Sequence, residues 1–431
     1  MTVEASAGIL VSDRKRRHAI VAATIGNGLE WFDFTVYGFF AALISRQFFP
    51  KEDPLTAILL TVTVYGVGFC MRPVGAIVLG VYADRHGRKA ALTITILTMA
   101  LGTALLGFAP TYAQAGVFGA AVLMLARLIQ GFSAGGEVGS ATSYLVEYAR
   151  PEQRGLAASW QQTSQALAVV LGGLCGVAIT QFLPQEAVES WGWRVPFWFG
   201  LLIGPVGLYI RARLDETPVF AAETTRKSES PLRETLSVHG RGVLSGFGVT
   251  ILWTVCTYVL LFYMPLYVEK FLGIPAKDAF ISTTLGGIVL MFGCPIAGRL
   301  SDLIGRKTLL LVAAIGIGIL VIPLFAWLNA NPTLPVLVTV QVVLGLLLAA
   351  FTGPAPALLA EQFPAALRST GLSLAYNFAV ALFGGFAALI VTLLIEKTGL
   401  KIAPSFYVAA AALVSVLTLA TMRDRTGQTI D

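Results

Sequence analysis

The chain has 431 residues, of which 56% are hydrophobic and only 13% charged, against about 25% charged in a soluble domain. Apolar runs of about 20 residues exclude a soluble globular protein and point to a polytopic helical membrane protein. The net charge of +6 is not a nucleic-acid footprint, because the basic residues lie in loops between the runs and do not line one soluble face.

Twelve spans are predicted, near 19–44, 55–82, 90–109, 116–143, 156–180 and 194–212, then near 241–268, 278–298, 307–328, 334–359, 370–395 and 403–422. They divide the chain into a tail (1–18), a six-helix bundle (19–212), a polar linker (213–240), a second six-helix bundle (241–422) and a tail (423–431). The basic cluster Arg14–His18 precedes a run that holds Glu30 and Asp33, too long and too charged for a cleavable signal. With the N-terminus inside, Lys and Arg are about threefold more frequent on inner than on outer segments, so both termini are expected in the cytoplasm. Cys70, Cys175, Cys256 and Cys294 fall in apolar runs and are read as packing residues. Neither a cofactor nor a metal site is expected.

Span one carries Asn27, Glu30, Asp33 and Tyr37 at i, i+3 or i+4 spacing, hence on one helix face. Arg72 lies in span two, Arg127 and Gln130 on one face of span four, and Glu137 lower in span four within G-G-E-V-G. Ionisable groups at bilayer depth are costly and are functional candidates by default. Glu30 lies roughly 17 Å from the inner end of span one and Arg127 roughly 16 Å from the outer end of span four, levels that nearly coincide in a core about 30 Å thick. A carboxylate facing an arginine in a partly dry cavity makes a proton site, and its candidates are Glu30, Asp33 and Arg127. The residues alone do not choose between the two acids. Arg72 either binds an anionic group or pairs with Glu137, for which a structural role is expected among its small neighbours.

No Asp, Glu, Lys or Arg lies deep in the second six spans. Their polar groups are Trp253, Thr257 and Tyr258 in span seven, Gln341 in span ten, and Tyr376 and Asn377 in span eleven; Gln161, Gln162 and Gln165 add amides from span five. The candidates for substrate contact are Asn27, Tyr37, Arg72, Gln130, Gln162, Gln165, Trp253, Tyr258, Gln341, Tyr376 and Asn377, with interhelical hydrogen bonding as the alternative role for each. T-G-P-A-P-A from Thr352 is expected to break span ten.

Two loop patterns occur twice. G-V-Y-A-D-R-H-G-R-K-A-A-L from Gly80 recurs as G-R-L-S-D-L-I-G-R-K-T-L-L from Gly298. L-V-E-Y-A-R-P-E-Q-R-G from Leu145 is echoed by L-A-E-Q-F-P-A-A-L-R-S from Leu359. Duplication of this kind marks transporters built from related halves. Asp84 and Asp302, just beyond the ends of spans two and eight, are expected to accept hydrogen bonds from backbone amides at a helix start. A cytoplasmic gate is expected from Gly80, Asp84, Arg85, Arg88, Glu147 and Arg154 with Gly298, Asp302, Arg306, Glu361 and Arg368. Ion pairs among them would hold the cytoplasmic side shut in the outward-facing state.

Several stretches carry a family resemblance: I-G-N-G-L-E-W-F-D-F-T-V-Y-G-F from Ile25, M-R-P-V-G from Met71, R-L-I-Q-G-F-S-A-G-G-E-V-G from Arg127, S-W-G-W-R-V-P-F from Ser190 and R-L-D-E-T-P-V-F from Arg213. The repeated loop resembles the hallmark of the major facilitator superfamily, and together these motifs resemble its metabolite:proton symporter family. That family includes carriers of citrate, 2-oxoglutarate, shikimate, proline and betaine. The resemblance implies an all-α fold of twelve transmembrane helices in two pseudo-symmetric six-helix bundles. It also favours Asp33 for coupling, since many relatives oppose a first-span acid with a fourth-span arginine. L-A-Y-N-F-A-V-A-L-F-G-G-F from Leu374 and S-W-Q from Ser159 look most like the citrate and tricarballylate branch. The short tail after span twelve contrasts with the long helical tail of the osmosensing proline/betaine carrier.

The expected function is therefore proton-coupled symport of a small organic acid by alternating access, with a citrate-like di- or tricarboxylate favoured. Shikimate, 2-oxoglutarate or proline/betaine symport, or passive facilitation, are the alternatives. An enzyme is not expected: G-x-S-x-G, H-E-x-x-H and P-loop motifs are absent, and His18, His86 and His239 lie in loops. The expected setting is the cell (inner or plasma) membrane, as a monomer whose partners are substrate, proton and lipid, without nucleic acid.

Overall fold

A chain in hydrocarbon must satisfy its backbone internally, and every described element of the computed structural model is helical. The structure describes residues 13–49, 64, 66–212, 215–217, 219–220 and 230–428. The expected start of span two (55–63), parts of the linker (213–214, 218 and 221–229) and both chain ends lie outside them.

Ten described segments are long and apolar enough to cross a membrane: Gly66–His86, Arg88–Phe108, Val117–Tyr148 and Pro151–Ile179 in the first half, and Gly240–Leu272, Lys277–Ile304, Arg306–Ala330, Leu334–Ala360, Ala365–Thr398 and Ala403–Thr421 in the second. Span one, Asp13–Phe48, carries the acids, and span six is broken into Val195–Leu201 and Ile203–Ala212. These complete two sets of six, the twelve-helix arrangement. Apolar side chains such as Phe108, Phe182, Val312 and Leu417 stand exposed on the outside, as a lipid-facing surface requires.

The helices run further than hydropathy indicates. Span one starts at Asp13, and Asp84 and Asp302 sit in the last turns of their helices, not beyond them. The turn into span three is the single residue Gly87, at φ 106°. Its counterpart Gly305, at φ 93°, makes the same turn between spans eight and nine. Both values favour glycine, which has no Cβ to clash.

Lipid supplies no hydrophobic drive between helices, so close backbone approach holds them together. A Cβ on Gly131 of span four would lie 1.7 Å from the Gly68 carbonyl oxygen, and one on Gly75 of span two 1.9 Å from that of Phe132. Small residues also join the halves. Span eleven packs on spans two and four, and span five on span eight. A Cβ on Gly80 would meet Thr370 Cα at 3.2 Å, and one on Gly298 would meet the Gly155 oxygen at 2.6 Å.

Spans seven and eleven each contain a π-helical stretch, Tyr258–Tyr263 and Val380–Gly384. Such stretches loosen the carbonyl ladder and often mark functional regions. Gln341 Nε2 of span ten donates to the Leu260 carbonyl at 2.8 Å, inside the first of them. Span ten breaks after Thr352 and resumes over Ala355–Ala360, as T-G-P-A-P-A implies.

This packing predicts that Gly131→Ala lowers the melting temperature of purified protein by several degrees, since overpacking costs about 1–3 kcal/mol. Gly176→Ala, where an added Cβ meets nothing within 4 Å, should leave it unchanged. Equal melting of the two variants would contradict the packing account.

Candidate functional site

The repeated loops build two related clusters at one end of the molecule, each joining the halves. In the first, Asp84 Oδ1 accepts from the Ser369 amide at 3.2 Å, and Oδ2 from the Thr370 amide and hydroxyl at 2.8 and 2.6 Å. The carboxylate thus sits at the start of span eleven, where free amides and the helix dipole favour negative charge. Arg88 lies 3.3 Å from Asp84 Oδ1 and 3.1 Å from Glu147 Oε1, and Arg368 of the opposite half reaches the same Glu147 oxygen at 2.8 Å. Arg88 also donates to the Ala365 carbonyl at 2.5 Å.

In the second cluster, Asp302 accepts from the Gly155 and Leu156 amides at 2.8 and 3.0 Å, at the start of span five. Arg306 lies 3.1 Å from both Asp302 Oδ1 and Glu361 Oε1. The copies then diverge. Arg154, the counterpart of Arg368, donates to the Gln428 carbonyl of the tail at 2.6 Å. Arg85 is solvent-exposed.

Both sets of six end in an acid that returns to its own third helix. Glu216, after span six, accepts from the Arg88 and Lys89 amides at 3.0 and 3.2 Å. Asp424, after span twelve, accepts from the Lys307 amide at 3.3 Å, and Thr426 Oγ1 from the Arg306 amide at 3.0 Å. Thr217 donates to Glu147 Oε2 at 2.6 Å, and Arg425 to the Glu361 carbonyl at 3.0 Å. Sequence reasoning missed these five. The available signal was an acid shortly after each sixth span, in D-E-T-P and R-D-R-T.

Deeper in the first half, spans one, three, four and six enclose Asp33. Thr103 of span three donates to Asp33 Oδ2, and a Cβ on Gly200 of span six would lie 2.5 Å from Oδ1. Gln130 Nε2 donates to Thr103 Oγ1 at 3.2 Å, while Gln130 Oε1 accepts from Arg127 Nη1 at 2.8 Å. The Arg127 guanidinium lies 3.3 Å from the centroid of the Tyr37 ring. Glu30 is buried one turn from Asp33 on the same helix. Of the residues expected here, Asp33, Tyr37, Arg127 and Gln130 are brought together, and Thr103 was not anticipated.

Arg72 lies between this region and the second half. It does not pair with Glu137, which accepts a 2.8 Å hydrogen bond from Thr95 Oγ1. The Arg72 guanidinium is fully buried, and its three nitrogens donate no hydrogen bond among the described residues. The rings of Trp31, Phe34 and Phe69 surround it at 5.5, 4.8 and 4.4 Å. Phe69 packs edge-on against Tyr258 at 5.4 Å, and Trp253 against Tyr376 at 4.9 Å, which brings second-half aromatics to the same place. Beside Trp31 lies a small cavity of about 10 Å³, lined from both halves by residues including Gln162, Gln165, Thr257 and Phe262. The Nε2 atoms of Gln162 and Gln165 and the Tyr258 hydroxyl are buried without a hydrogen-bond partner among the described residues.

Other amides bind helix to helix. Asn27 accepts from Ser164 at 2.9 Å, Gln161 accepts from Thr142 at 2.6 Å, and Asn377 donates to the Gly135 carbonyl of the other half at 2.8 Å. A larger groove between spans one and five, lined by Ile25, Leu29, Leu167, Leu171 and Phe199, is apolar and faces outward; it offers no chemistry for a polar substrate.

The family model of the Major Facilitator Superfamily matches residues 23–388 and again 283–429. The chain is 38% identical over 395 residues to a citrate-proton symporter of Salmonella typhi, covering 92% of this chain and 91% of that protein. It is 32% identical to a proline/betaine transporter of Salmonella typhimurium, covering 96% of this chain and 85% of that one. Among solved structures, the proton:xylose symporter XylE bound to 6-bromo-6-deoxy-D-glucose matches with a TM-score of 0.82 at 19% identity, over 97% of this chain and 98% of that one.

One titration follows from the second cluster. Burial pushes the Glu361 carboxyl up to about 7, against the pull of Arg306 and Arg154. An acid raised in the folded state adds stability below its ordinary pKa, and that contribution is lost as pH rises through the folded value. The melting temperature of detergent-purified protein should therefore carry a component that falls as pH rises through about 7. Glu361→Gln should remove that component; an identical pH slope in the variant would contradict the assignment.

Proposed function

The chain belongs to the major facilitator superfamily, and from that premise we propose that it couples inward proton flow to uptake of a small organic acid, a citrate-like di- or tricarboxylate being favoured. It is a multi-pass membrane transporter of the symporter type, and not an enzyme. The observation that carries the substrate class is the set of buried donors that find no hydrogen-bond acceptor among the described residues: the Arg72 guanidinium, Gln162 and Gln165 Nε2 and the Tyr258 hydroxyl. A buried cation without an anion is expensive, and a substrate carboxylate supplies the missing partner. The guanidinium fork can hold two carboxylate oxygens at once. The spans hold few cations for three carboxylates, so a tricarboxylate would enter partly protonated, with its remaining oxygens on the amides and hydroxyl. The citrate-proton symporter of Salmonella typhi, 38% identical, lends weight to this choice.

Asp33 is the proposed proton acceptor. It is 1% exposed, carries one hydrogen bond from Thr103, and lies within the electrostatic reach of Arg127. Glu30, one turn away, is the second candidate. The clusters of Asp84 and Asp302 form the cytoplasmic gate, with both termini in the cytoplasm of a cell whose inner or plasma membrane holds the protein as a monomer. Substrate and proton load with this gate closed, and its opening releases them inward.

Proteoliposomes test the proposal. Uptake of labelled citrate should rise with an inward proton gradient and collapse with an uncoupler. Sodium dependence with indifference to the proton gradient would refute coupling, and saturable uptake of betaine or proline in place of citrate would refute the substrate class. Arg72→Lys keeps the charge but loses the fork, and should weaken citrate binding tenfold or more, since 1.4 kcal/mol is a factor of ten. Asp33→Asn should retain citrate exchange while losing gradient-driven accumulation. If Asp33→Asn accumulates citrate normally and Glu30→Gln does not, the proton site belongs to Glu30.

A further inference from the structure

Thr103 lies deep on span three, from which the repeats and the charged positions single out only the first turn, beginning at Arg88. Its hydroxyl nevertheless joins three elements. Oγ1 donates to Asp33 Oδ2 on span one, accepts from Gln130 Nε2 on span four at 3.2 Å, and lies 3.0 Å from the Met99 carbonyl of its own helix. Asp33, Thr103 and Gln130 are each at most 1% exposed. Gly102, the neighbour of Thr103, packs so tightly on span four that a Cβ there would lie 2.5 Å from the Gln130 side chain. Gln130 is held in turn by Arg127 Nη1 at 2.8 Å.

We infer that Thr103 is the positioning residue of the proton site, a hydroxyl that donates to Asp33 when the acid is charged and turns away when the acid is protonated. The inference rests on the reading of Asp33 as proton acceptor. A hydroxyl has one donor hydrogen and two lone pairs. Because Gln130 fills one lone pair, the hydrogen has two places to go, Asp33 Oδ2 or the Met99 carbonyl. With Asp33 ionised it points at the carboxylate, a charge-assisted hydrogen bond. When a proton arrives on Asp33, the new O–H donates to the remaining lone pair of Thr103 Oγ1. The threonine hydrogen then turns to the Met99 oxygen. No group gains or loses a second proton, and every donor keeps an acceptor in both states. Gln130 stays bonded throughout, so the switch reverses one hydrogen bond without repacking the bundle.

A threonine that only back-bonds to its own helix would leave the acid's titration alone, and this separates the two roles. The carboxyl stretch of protonated Asp33 is to be followed by infrared difference spectroscopy on purified full-length protein in lipid, titrated without substrate. Asp33→Asn identifies the band by its loss. Thr103→Val keeps the shape but removes a charge-assisted bond from the ionised acid and a weaker neutral one from the protonated acid, so the midpoint should move up by the difference, about one pH unit. Thr103→Ser should restore the wild-type midpoint, and Thr103→Ala should repeat the shift if the valine variant does not fold. A band that vanishes in Asp33→Asn but keeps its midpoint in Thr103→Val and Thr103→Ala overturns the inference and leaves Asp33 as the proton site. If no titrating band is lost in Asp33→Asn, the reading of Asp33 itself fails, and the role of Thr103 falls with it.

Discussion

A carboxylate on one half of the molecule caps the start of a helix on the other, and this happens twice. Asp84 of span two accepts the Ser369 and Thr370 amides that open span eleven. Asp302 of span eight accepts the Gly155 and Leu156 amides that open span five. Each contact joins a buried negative charge to the positive end of a helix dipole. It works only at the backbone separations that Gly80 and Gly298 allow. Arg88 and Arg306, one turn further on, complete the charge balance. The starts of spans three and nine are occupied from elsewhere, by Glu216 and by Asp424 with Thr426. The starts of spans three, five, nine and eleven are thus satisfied by side chains, two across the halves and two within them.

Buried ion pairs of this kind add little net stability against apolar packing, but deleting one member costs about 3–5 kcal/mol. Moving a two-state equilibrium from 1:99 to 99:1 takes about 5.5 kcal/mol. The two magnitudes are comparable, so a single carboxylate at this face can set which arrangement of the halves prevails. The Asp33 site is built differently. It lies within the first half, among spans one, three, four and six, and its partners need not separate when the halves rock. On the proposed roles, proton binding at Asp33 and gate opening would communicate through what lies between them: Arg127, the aromatic surround of Arg72, and the second-half tyrosines. Such a division suits alternating access, in which one half carries the charge chemistry and the other supplies shape and donors.

The duplicated loops made the helix caps legible, because a Gly-Asp-Gly-Arg-Lys pattern found twice after a second span has few physical uses. The spacing of Asp33, Tyr37, Arg127 and Gln130 likewise placed them on faces that meet. Thr103 was invisible, because a threonine in an apolar span ordinarily bonds to the carbonyl four residues back, and Thr103 does reach Met99 in that way. Its second bond depends on how spans one and three pack, which no local pattern records. The bond from the Gln341 amide to the Leu260 carbonyl was not legible, because the π-helical stretch that accepts it leaves no trace in hydropathy. The choice for Arg72 between an anion and Glu137 turned on how the spans pack: Glu137 accepts from Thr95, and Arg72 lies among the rings of Trp31, Phe34 and Phe69. Helix ends were misjudged where single glycines, Gly87 and Gly305, let helices run through what hydropathy marks as loop.

The claim that the crossed helix caps set the balance between states is tested most directly by the distance between the halves. Spin labels at His86→Cys and Leu303→Cys, both exposed at the repeat ends of spans two and eight, report it by pulsed dipolar spectroscopy once the four native cysteines are replaced. With both caps intact, a short and narrow distance should dominate in lipid. Asp84→Asn should transfer most of that population to a longer distance, with Asp302→Asn acting in the same direction. A distance distribution unchanged in Asp84→Asn, measured on protein that has lost transport, would contradict the account.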